Sequence, residues 1–202
     1  MAVANRITEQ EYLELALNEP DRFWELWDGV PVEKPWMSMR HNRVTFYLGV
    51  ALANQLDRRS YAISANGDRA RISPRNYYIP DVMVIPAAYE AEIEGDEDAL
   101  GVYTKPLPLV VEVWSPSTGR YDLEFKLQAY QERGDEEIWY IHPRDRTLTA
   151  WRQQPDGSYV EETILGGVIA ITSLSGVMID LDALLGDQPG LPTFDSKHAD
   201  SQ

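Results

Sequence analysis

A single glutamate lies within the most apolar segment of this chain, residues 107–114, which reads LPLVVEVW. A short apolar run rich in branched side chains predicts a strand buried inside a sheet. Glu112 brings a charge into that strand, and an ionised carboxylate is almost never fully buried without a partner because stripping its water is costly. The fold must therefore place a cation beside Glu112 or bind one there.

A second carboxylate precedes another apolar segment, where Asp81 follows Ile79-Pro80 and leads into residues 82–85. Side chains alternate along a strand, so Glu112 shares a face with Val110, away from Val113. If the two strands are neighbours in register, both carboxylates converge on one ion, joined by the backbone carbonyl of Val113. One or two carboxylates with waters and substrate phosphate is the usual way to hold magnesium.

Composition restricts the kind of metal. The chain has no cysteine and only three histidines, which excludes thiolate zinc sites and makes a histidine-rich cluster improbable. Any metal site must be rich in oxygen ligands, which suit magnesium, manganese or calcium.

A lysine interrupts the apolar stripe of the helix predicted over residues 121–133. Lys126 occupies an inward position of an i, i+3, i+4, i+7 pattern with Leu123, Leu127 and Tyr130. Because this helix follows the Glu112 strand through a short turn, we expect it to pack back and bring the ammonium to the carboxylates. The alternative is an exposed pair with Asp122, worth about 0.3–0.5 kcal/mol.

The order of elements predicts an α/β (α+β) domain with a mixed central sheet flanked by helices. We expect one domain over residues 1–186 and a polar, flexible tail over 187–202. The acidic connection over residues 87–105 reads as a long loop, either a flap or a solvated insertion. The predicted helices cover a short segment capped at Thr8 and residues 41–56 and 121–133. The predicted strands cover residues 23–26, 30–33, 61–64, 69–72, 82–85, 107–114, 137–142, 147–152 and 158–163, and residues 168–185 supply a final strand and helical turn.

Charge is distributed unevenly along the chain. The net charge is −15, which opposes phosphate binding, yet residues 40–76 carry seven arginines against two acidic residues, a local balance of +5. Either these arginines form a basic working face or they are scattered surface residues. The chain shows no membrane-length apolar run and no signal-peptide core, which predicts a cytoplasmic protein without membrane association.

Several motifs together resemble the Uma-two (Uma2) family of endonucleases, within the PD-(D/E)XK restriction-endonuclease-like superfamily. The resemblance covers about residues 8–185. It is carried by Glu25-Leu26-Trp27-Asp28-Gly29, His41, Pro80-Asp81, Val111-Glu112-Val113-Trp114-Ser115-Pro116-Ser117-Thr118, Asp122, Lys126, Tyr130, Gly134 and Glu137-Ile138-Trp139-Tyr140-Ile141-His142-Pro143.

The resemblance implies a restriction-endonuclease-like core in which Asp81 and Glu112 bind Mg²⁺ or Mn²⁺ and Lys126 assists the attacking water. The chain departs from the superfamily pattern in having Trp114, not lysine, two residues after Glu112. The resembled family also carries its lysine on the following helix, which matches Lys126. Glu25 is either an additional metal-binding or water-orienting carboxylate or an ordinary half-exposed strand residue.

These observations lead to the expectation of a metal-dependent endonuclease that hydrolyses DNA. The expected phosphate contacts are Arg40, His41, Arg43, Arg69 and Arg71, with His41 alternatively a helix-capping residue. A homodimer is expected if both strands are cut symmetrically. Two alternatives remain: a catalytically inactive nucleic-acid- or protein-binding module of the same fold, and a phosphodiesterase for small molecules, which the acidic composition would tolerate better.

Overall fold

The computed structural model describes residues 5–93, 100–116 and 120–186. The tail predicted over residues 187–202, Ser117 and Thr118, and the side chain of Asp122 lie outside the described residues. Five helices and thirteen strands are found in the described part of the chain. The helices are α1 Glu9–Asn18, α2 Met39–Ala53, α3 Ala87–Ile93, α4 Arg120–Arg133 and α5 Leu181–Leu185. The strands are β1 Trp24–Trp27, β2 Val30–Glu33, β3 Tyr61–Ala65, β4 Arg69–Ser73, β5 Asn76–Tyr78, β6 Val82–Pro86, β7 Val102–Tyr103, β8 Leu109–Val113, β9 Glu137–His142, β10 Thr147–Gln153, β11 Tyr159–Ile164, β12 Val168–Ala170 and β13 Met178–Asp180.

A six-stranded mixed sheet in the order β11-β10-β9-β8-β6-β3 forms the centre of the fold. Strands β8 and β9 run parallel, as expected for strands joined through a helix, and the other neighbours are antiparallel. The predicted alternation in β8 is confirmed: Leu109, Val111 and Val113 pack in one core with α2 and α5, and Val110 packs in a second core with Tyr130 of α4. Helices therefore cover both faces of the sheet around Glu112.

A second sheet, in the order β2-β1-β5-β4-β7, was not anticipated. Its strands are only two to five residues long, and β5 and β7 carry too few residues to give a periodic signal. The turn between β1 and β2 holds Asp28 and Gly29 at positive φ of 48° and 81°, as the Asp-Gly pair predicted. This sheet carries Glu25 on β1.

Two predictions about the extent of secondary structure are wrong in detail. Helix α2 begins at Met39 and not at His41, because the Ser38 side chain caps it by accepting a hydrogen bond from the His41 backbone N–H at 3.3 Å. The connection predicted as a loop over residues 87–105 contains α3 and β7. No helix within the described residues combines the length and apolar character required to cross a bilayer.

Candidate functional site

Pairing of β6 with β8 places the two predicted metal ligands side by side. The strands are antiparallel with Val82 opposite Val111, so one further step puts Asp81 opposite Glu112. The Asp81 backbone N–H also donates to the Val111 carbonyl at 3.1 Å. The predicted adjacency of the two strands is thus confirmed, and both are inner strands of the central sheet.

Asp81 is 1% exposed, and nitrogen atoms approach both of its carboxylate oxygens. Lys34 Nζ lies 2.8 Å from Oδ1, while His41 Nε2 and the Val113 backbone nitrogen lie 2.9 Å and 2.7 Å from Oδ2. Burial by itself raises the pKa of Asp81, but the Lys34 ammonium and the His41 contact outweigh it, so the pKa lies well below its ordinary value. Asp81 is therefore an ionised carboxylate across the physiological pH range.

Lys34, which the sequence reasoning missed, is a central member of the site. Its side chain is 7% exposed, and its Nζ donates to Asn66 Oδ1 at 2.8 Å, the Ile79 carbonyl at 2.7 Å and Asp81 Oδ1 at 2.8 Å. All three ammonium hydrogens thus have acceptors. One indication of the role of Lys34 was present in the sequence, since lysine is rare in this chain. The sequence contains only four lysines, and two of them, Lys34 and Lys126, lie in this site.

The negative charge of Glu112 is less fully compensated by neighbouring groups than the charge of Asp81. Glu112 Oε1 accepts a hydrogen bond from the Tyr130 hydroxyl at 2.6 Å and lies 3.2 Å from Lys126 Nζ. Burial raises the pKa of Glu112, Lys126 lowers it, and the negative charges of Asp81 and Glu25 raise it further, with a net shift upward. Glu112 is therefore the carboxylate whose ionised form gains most from a nearby added cation.

Lys126 is brought into the site by α4, as the stripe pattern predicted. It is 6% exposed, and its Nζ lies 2.9 Å from Glu25 Oε1, so the alternative of an exposed pair with Asp122 is wrong. Burial lowers the pKa of Lys126, but Glu112 and Glu25 raise it more, which keeps the ammonium protonated.

Glu25 is buried at 3% exposure, contrary to its interpretation as a half-exposed strand residue. Besides Lys126, it accepts the Ile79 backbone N–H at 2.7 Å and the Trp27 indole N–H at 2.9 Å. These two donors fix the carboxylate in place, so Glu25 holds Lys126 between the second sheet and α4.

The donor set is chemically suited to a hard divalent cation. Asp81, Glu112 and the Val113 carbonyl are oxygen donors, and three carboxylates against two lysines leave the cluster negative when His41 is neutral. Among the described residues, no three Asp, Glu or His side chains are arranged to hold an ion by themselves. A metal would therefore rely on two carboxylates, one carbonyl and outer waters.

The predicted phosphate contacts separate into three environments. Arg40 and Arg43 are exposed on α2. His41 is fully buried against Asp81, so its expected contact with phosphate is replaced by a contact with the Asp81 carboxylate. Arg69 is 5% exposed and bonds Tyr12 Oη at 3.1 Å, while Arg71 bonds Glu9 at 2.7 Å, so the protein itself occupies both guanidiniums.

Comparison with known proteins identifies the fold and the family of the chain. The structure is similar to the crystal structure of "a putative nuclease belonging to DUF820" from Anabaena variabilis ATCC 29413, with a TM-score of 0.71 and 18% identity over 89% of this chain and 97% of that one. This likeness establishes the predicted restriction-endonuclease-like fold. None of the curated proteins compared with the sequence is a match. Residues 9–182 match the model of the family described as "Uma2: Putative restriction endonuclease", and the chain therefore belongs to this Uma2 family of restriction-endonuclease-like nucleases.

Proposed function

We propose that the chain is an Mg²⁺- or Mn²⁺-dependent endonuclease that hydrolyses phosphodiester bonds in DNA. The observation that carries the proposal is the meeting of Asp81, Glu112 and Lys126 in one cluster, although they come from the start of β6, from β8 and from α4. Asp81 and Lys126 are buried, and the Glu112 side chain is 12% exposed. Ionisable groups with opposed pKa shifts are typical of catalytic sites. Membership of a nuclease family supports the same conclusion.

In this proposal the metal is held by Asp81, Glu112 and the Val113 carbonyl. When bound, it supplies an acidified water and neutralises charge on the scissile phosphate. His41 Nε2 and the Val113 N–H fix the orientation of Asp81 through Oδ2. Lys34 Nζ lies on Oδ1, so the ammonium and the metal compete for that oxygen.

Lys126 is proposed to act on the water and on the phosphate. Its ammonium is held at Glu25 Oε1 and faces Glu112 Oε1, so it presents a fixed positive charge beside the proposed ligand. A preorganised cation of this kind stabilises negative charge that develops on the phosphoryl oxygens. Glu25 serves as a positioning residue for Lys126, and Tyr130 orients Glu112 by donating its hydroxyl hydrogen.

The decisive experiment compares cleavage by the wild type, Asp81→Asn and Lys126→Ala, with Lys105→Ala as the matched control because Lys105 is half-exposed and pairs only with Glu92 among described carboxylates. Single-stranded, duplex and branched DNA, with RNA as a further substrate, are incubated with magnesium, manganese or chelator. We expect cleavage by the wild type and the control only, and only with metal. Cleavage that survives chelator, or that both site variants retain, would overturn the proposal.

A catalytically inactive binding module is the second candidate, and one observation favours it. Lys34 and Lys126 already neutralise most of the charge on Asp81 and Glu112, so the site is stable as an ion-pair network without metal. Calorimetric titration with Mn²⁺ separates the candidates. Heat of binding that disappears in Asp81→Asn supports the nuclease, whereas a wild type that binds no Mn²⁺ supports the binding module.

The proposed homodimer is tested separately. Light scattering coupled to gel filtration gives the mass in solution, and a dimer would supply the two sites needed for symmetric cleavage of a duplex. A monomer that cuts only one strand would instead assign the enzyme to nicking or single-strand cleavage.

A further inference from the structure

A second binding feature lies beside the carboxylate cluster and is not part of it. A cavity of about 330 Å³ opens between the start of α2, the segment after β8 and the turn after β9. Its lining residues are Ser38, Arg40, Trp114, Pro116, Pro143 and Arg144.

The cavity is positively charged in a protein that is strongly negative overall. Arg40 and Arg144 line it, and no acidic residue is among its described lining residues, although the chain carries a net charge of −15. By contrast, a larger cavity, of about 520 Å³, has two acidic and two basic residues among its described lining residues, so its charge is balanced. A basic cavity on an acidic protein selects an anion by the local field and not by the net charge.

The two arginines are positioned differently. Arg40 Nη1 donates to the Pro143 carbonyl at 3.4 Å, which holds this guanidinium at the wall of the cavity. Arg144 is exposed and forms no ion pair with any residue in the described ranges. Arg144 is therefore available to form a bidentate contact with a phosphate.

An aromatic wall completes the cavity. The Trp114 ring stacks on His142, with ring centroids 4.3 Å apart and planes inclined by 29°. The His142 ring covers one face and holds the indole in place, and Trp114 still lines the cavity. A fixed aromatic ring beside guanidiniums is the combination that proteins use to bind single-stranded nucleotides, by stacking on the base and pairing with the phosphate.

The cavity is joined to the carboxylate cluster through short stretches of backbone. Arg40 immediately precedes His41, which contacts Asp81, and Trp114 immediately follows Val113, whose N–H donates to Asp81. A nucleotide in the cavity would therefore contact residues that are sequence neighbours of His41 and Val113, the two residues that contact Asp81 Oδ2.

We propose that the cavity lined by Arg40, Trp114 and Arg144 binds one unstacked nucleotide of the DNA substrate, with its phosphate on the two arginines and its base against Trp114. The proposal rests on the proposed function for its choice of DNA. It makes Trp114 a substrate-binding residue in place of the lysine that the superfamily pattern carries at this position. It also predicts a preference for single-stranded or frayed DNA, because the base must leave the helical stack.

Binding in chelator tests this site without requiring cleavage. Fluorescence anisotropy of a labelled single strand of about 12 nucleotides gives the dissociation constant for the wild type, Arg144→Gln and Trp114→Leu. Arg146→Gln is the matched control, since Arg146 is exposed in the same turn and does not line the cavity. We expect Arg144→Gln to weaken binding and to reduce the salt slope by about 0.7, the value for one contact to a single strand.

An abasic scan of the same strand tests the stacking. Removing one base weakens wild-type binding by about 10-fold, and we expect this sensitivity to vanish in Trp114→Leu. Equal affinities of Arg144→Gln and Arg146→Gln, or the same abasic profile in Trp114→Leu and wild type, would refute the site. A wild type that binds the strand but never cleaves it would refute the endonuclease while retaining this site.

Discussion

Lys34 Nζ lies 2.8 Å from Asp81 Oδ1, and this contact joins the end of β2 in the second sheet to the start of β6 in the central sheet. The pair is buried, with side-chain exposures of 7% and 2%. A protein ammonium thus lies on the oxygen that a metal ligand would offer. The contact stabilises the fold, and it would oppose binding of the proposed metal at the same time.

Replacing Lys34 with methionine should separate these two effects. Removal of one partner from a buried pair costs about 3–5 kcal/mol, and the remaining donors to Asp81, from His41 and Val113, place the expected loss at the lower end. Metal affinity should rise, because the competing ammonium is gone. Urea unfolding in chelator and calorimetric titration with Mn²⁺ measure the two quantities.

Lys105→Met provides the comparison for this variant. Lys105 pairs with Glu92 at the surface, where both side chains are about half exposed, and such pairs contribute about 0–1 kcal/mol. Lower Mn²⁺ affinity in Lys34→Met than in Lys105→Met would show that Lys34 supports the metal site instead of competing for it.

Glu112 should make the metal-free protein sensitive to pH. Its pKa in the folded protein is raised above the ordinary 4.5, so folding takes up a proton between 4.5 and the raised value. The stability of the wild type in chelator should therefore fall as the pH rises through that window. Glu112→Gln cannot titrate, so it should be the more stable protein at pH above the window and lose this advantage below it.

Thermal unfolding across pH, in chelator and then with Mn²⁺, measures this difference. Added Mn²⁺ should stabilise the wild type more than Glu112→Gln, because the metal recovers the ionised carboxylate. Parallel pH profiles of the two proteins in chelator would mean that Glu112 keeps its ordinary pKa in the folded state.

Glu25→Gln distinguishes a positioning residue from a metal ligand. Glutamine keeps an oxygen acceptor for Lys126 but loses the charge that holds the ammonium at 2.9 Å. We expect kcat to fall by about 10- to 100-fold, the usual effect of removing an outer partner, while Mn²⁺ affinity and KM change little. Loss of Mn²⁺ binding together with kcat would instead assign Glu25 to the metal.

The periodicity of the sequence predicted the side-chain directions of two residues of the candidate site. Alternation in β8 and the stripe of α4 placed Glu112 and Lys126 correctly relative to the core, because both elements are long enough for side-chain direction to follow from spacing. The contacts of Glu25, Lys34 and His41 were not foreseeable in this way. They depend on how the second sheet and α2 pack on the central sheet, and no local pattern encodes that packing.

Two glutamates in apolar strands of the central sheet, Glu112 and Glu137, are neutralised in different ways. A glutamate in an apolar strand pointed to a metal for Glu112, whose side chain is 12% exposed, yet Glu137 in β9 is more deeply buried, at 0% exposure, and is neutralised by protein groups. Its carboxylate accepts hydrogen bonds from Arg152, the Trp139 indole, and Thr172 and Ser173. A buried carboxylate therefore requires a partner of some kind, which can be a protein group, as for Glu137. What favours a divalent ion at Glu112 is the presence of neighbouring carboxylates.

Glu137→Gln turns this contrast into a prediction. The change removes the charge that pairs with Arg152 Nε at 3.1 Å and puts an amide group among groups that all donate to the carboxylate. The loss in unfolding free energy should be about 3 kcal/mol, as for other broken buried pairs. Mn²⁺ affinity and cleavage per folded molecule should stay at wild-type values, because Glu137 contacts none of the residues around Asp81. Urea unfolding and Mn²⁺ titration of the same preparation measure the unfolding free energy and the metal affinity. If Glu137→Gln changed the metal affinity as much as Glu112→Gln does, a buried charge on either strand would govern metal binding, and the carboxylate neighbours of Glu112 would not.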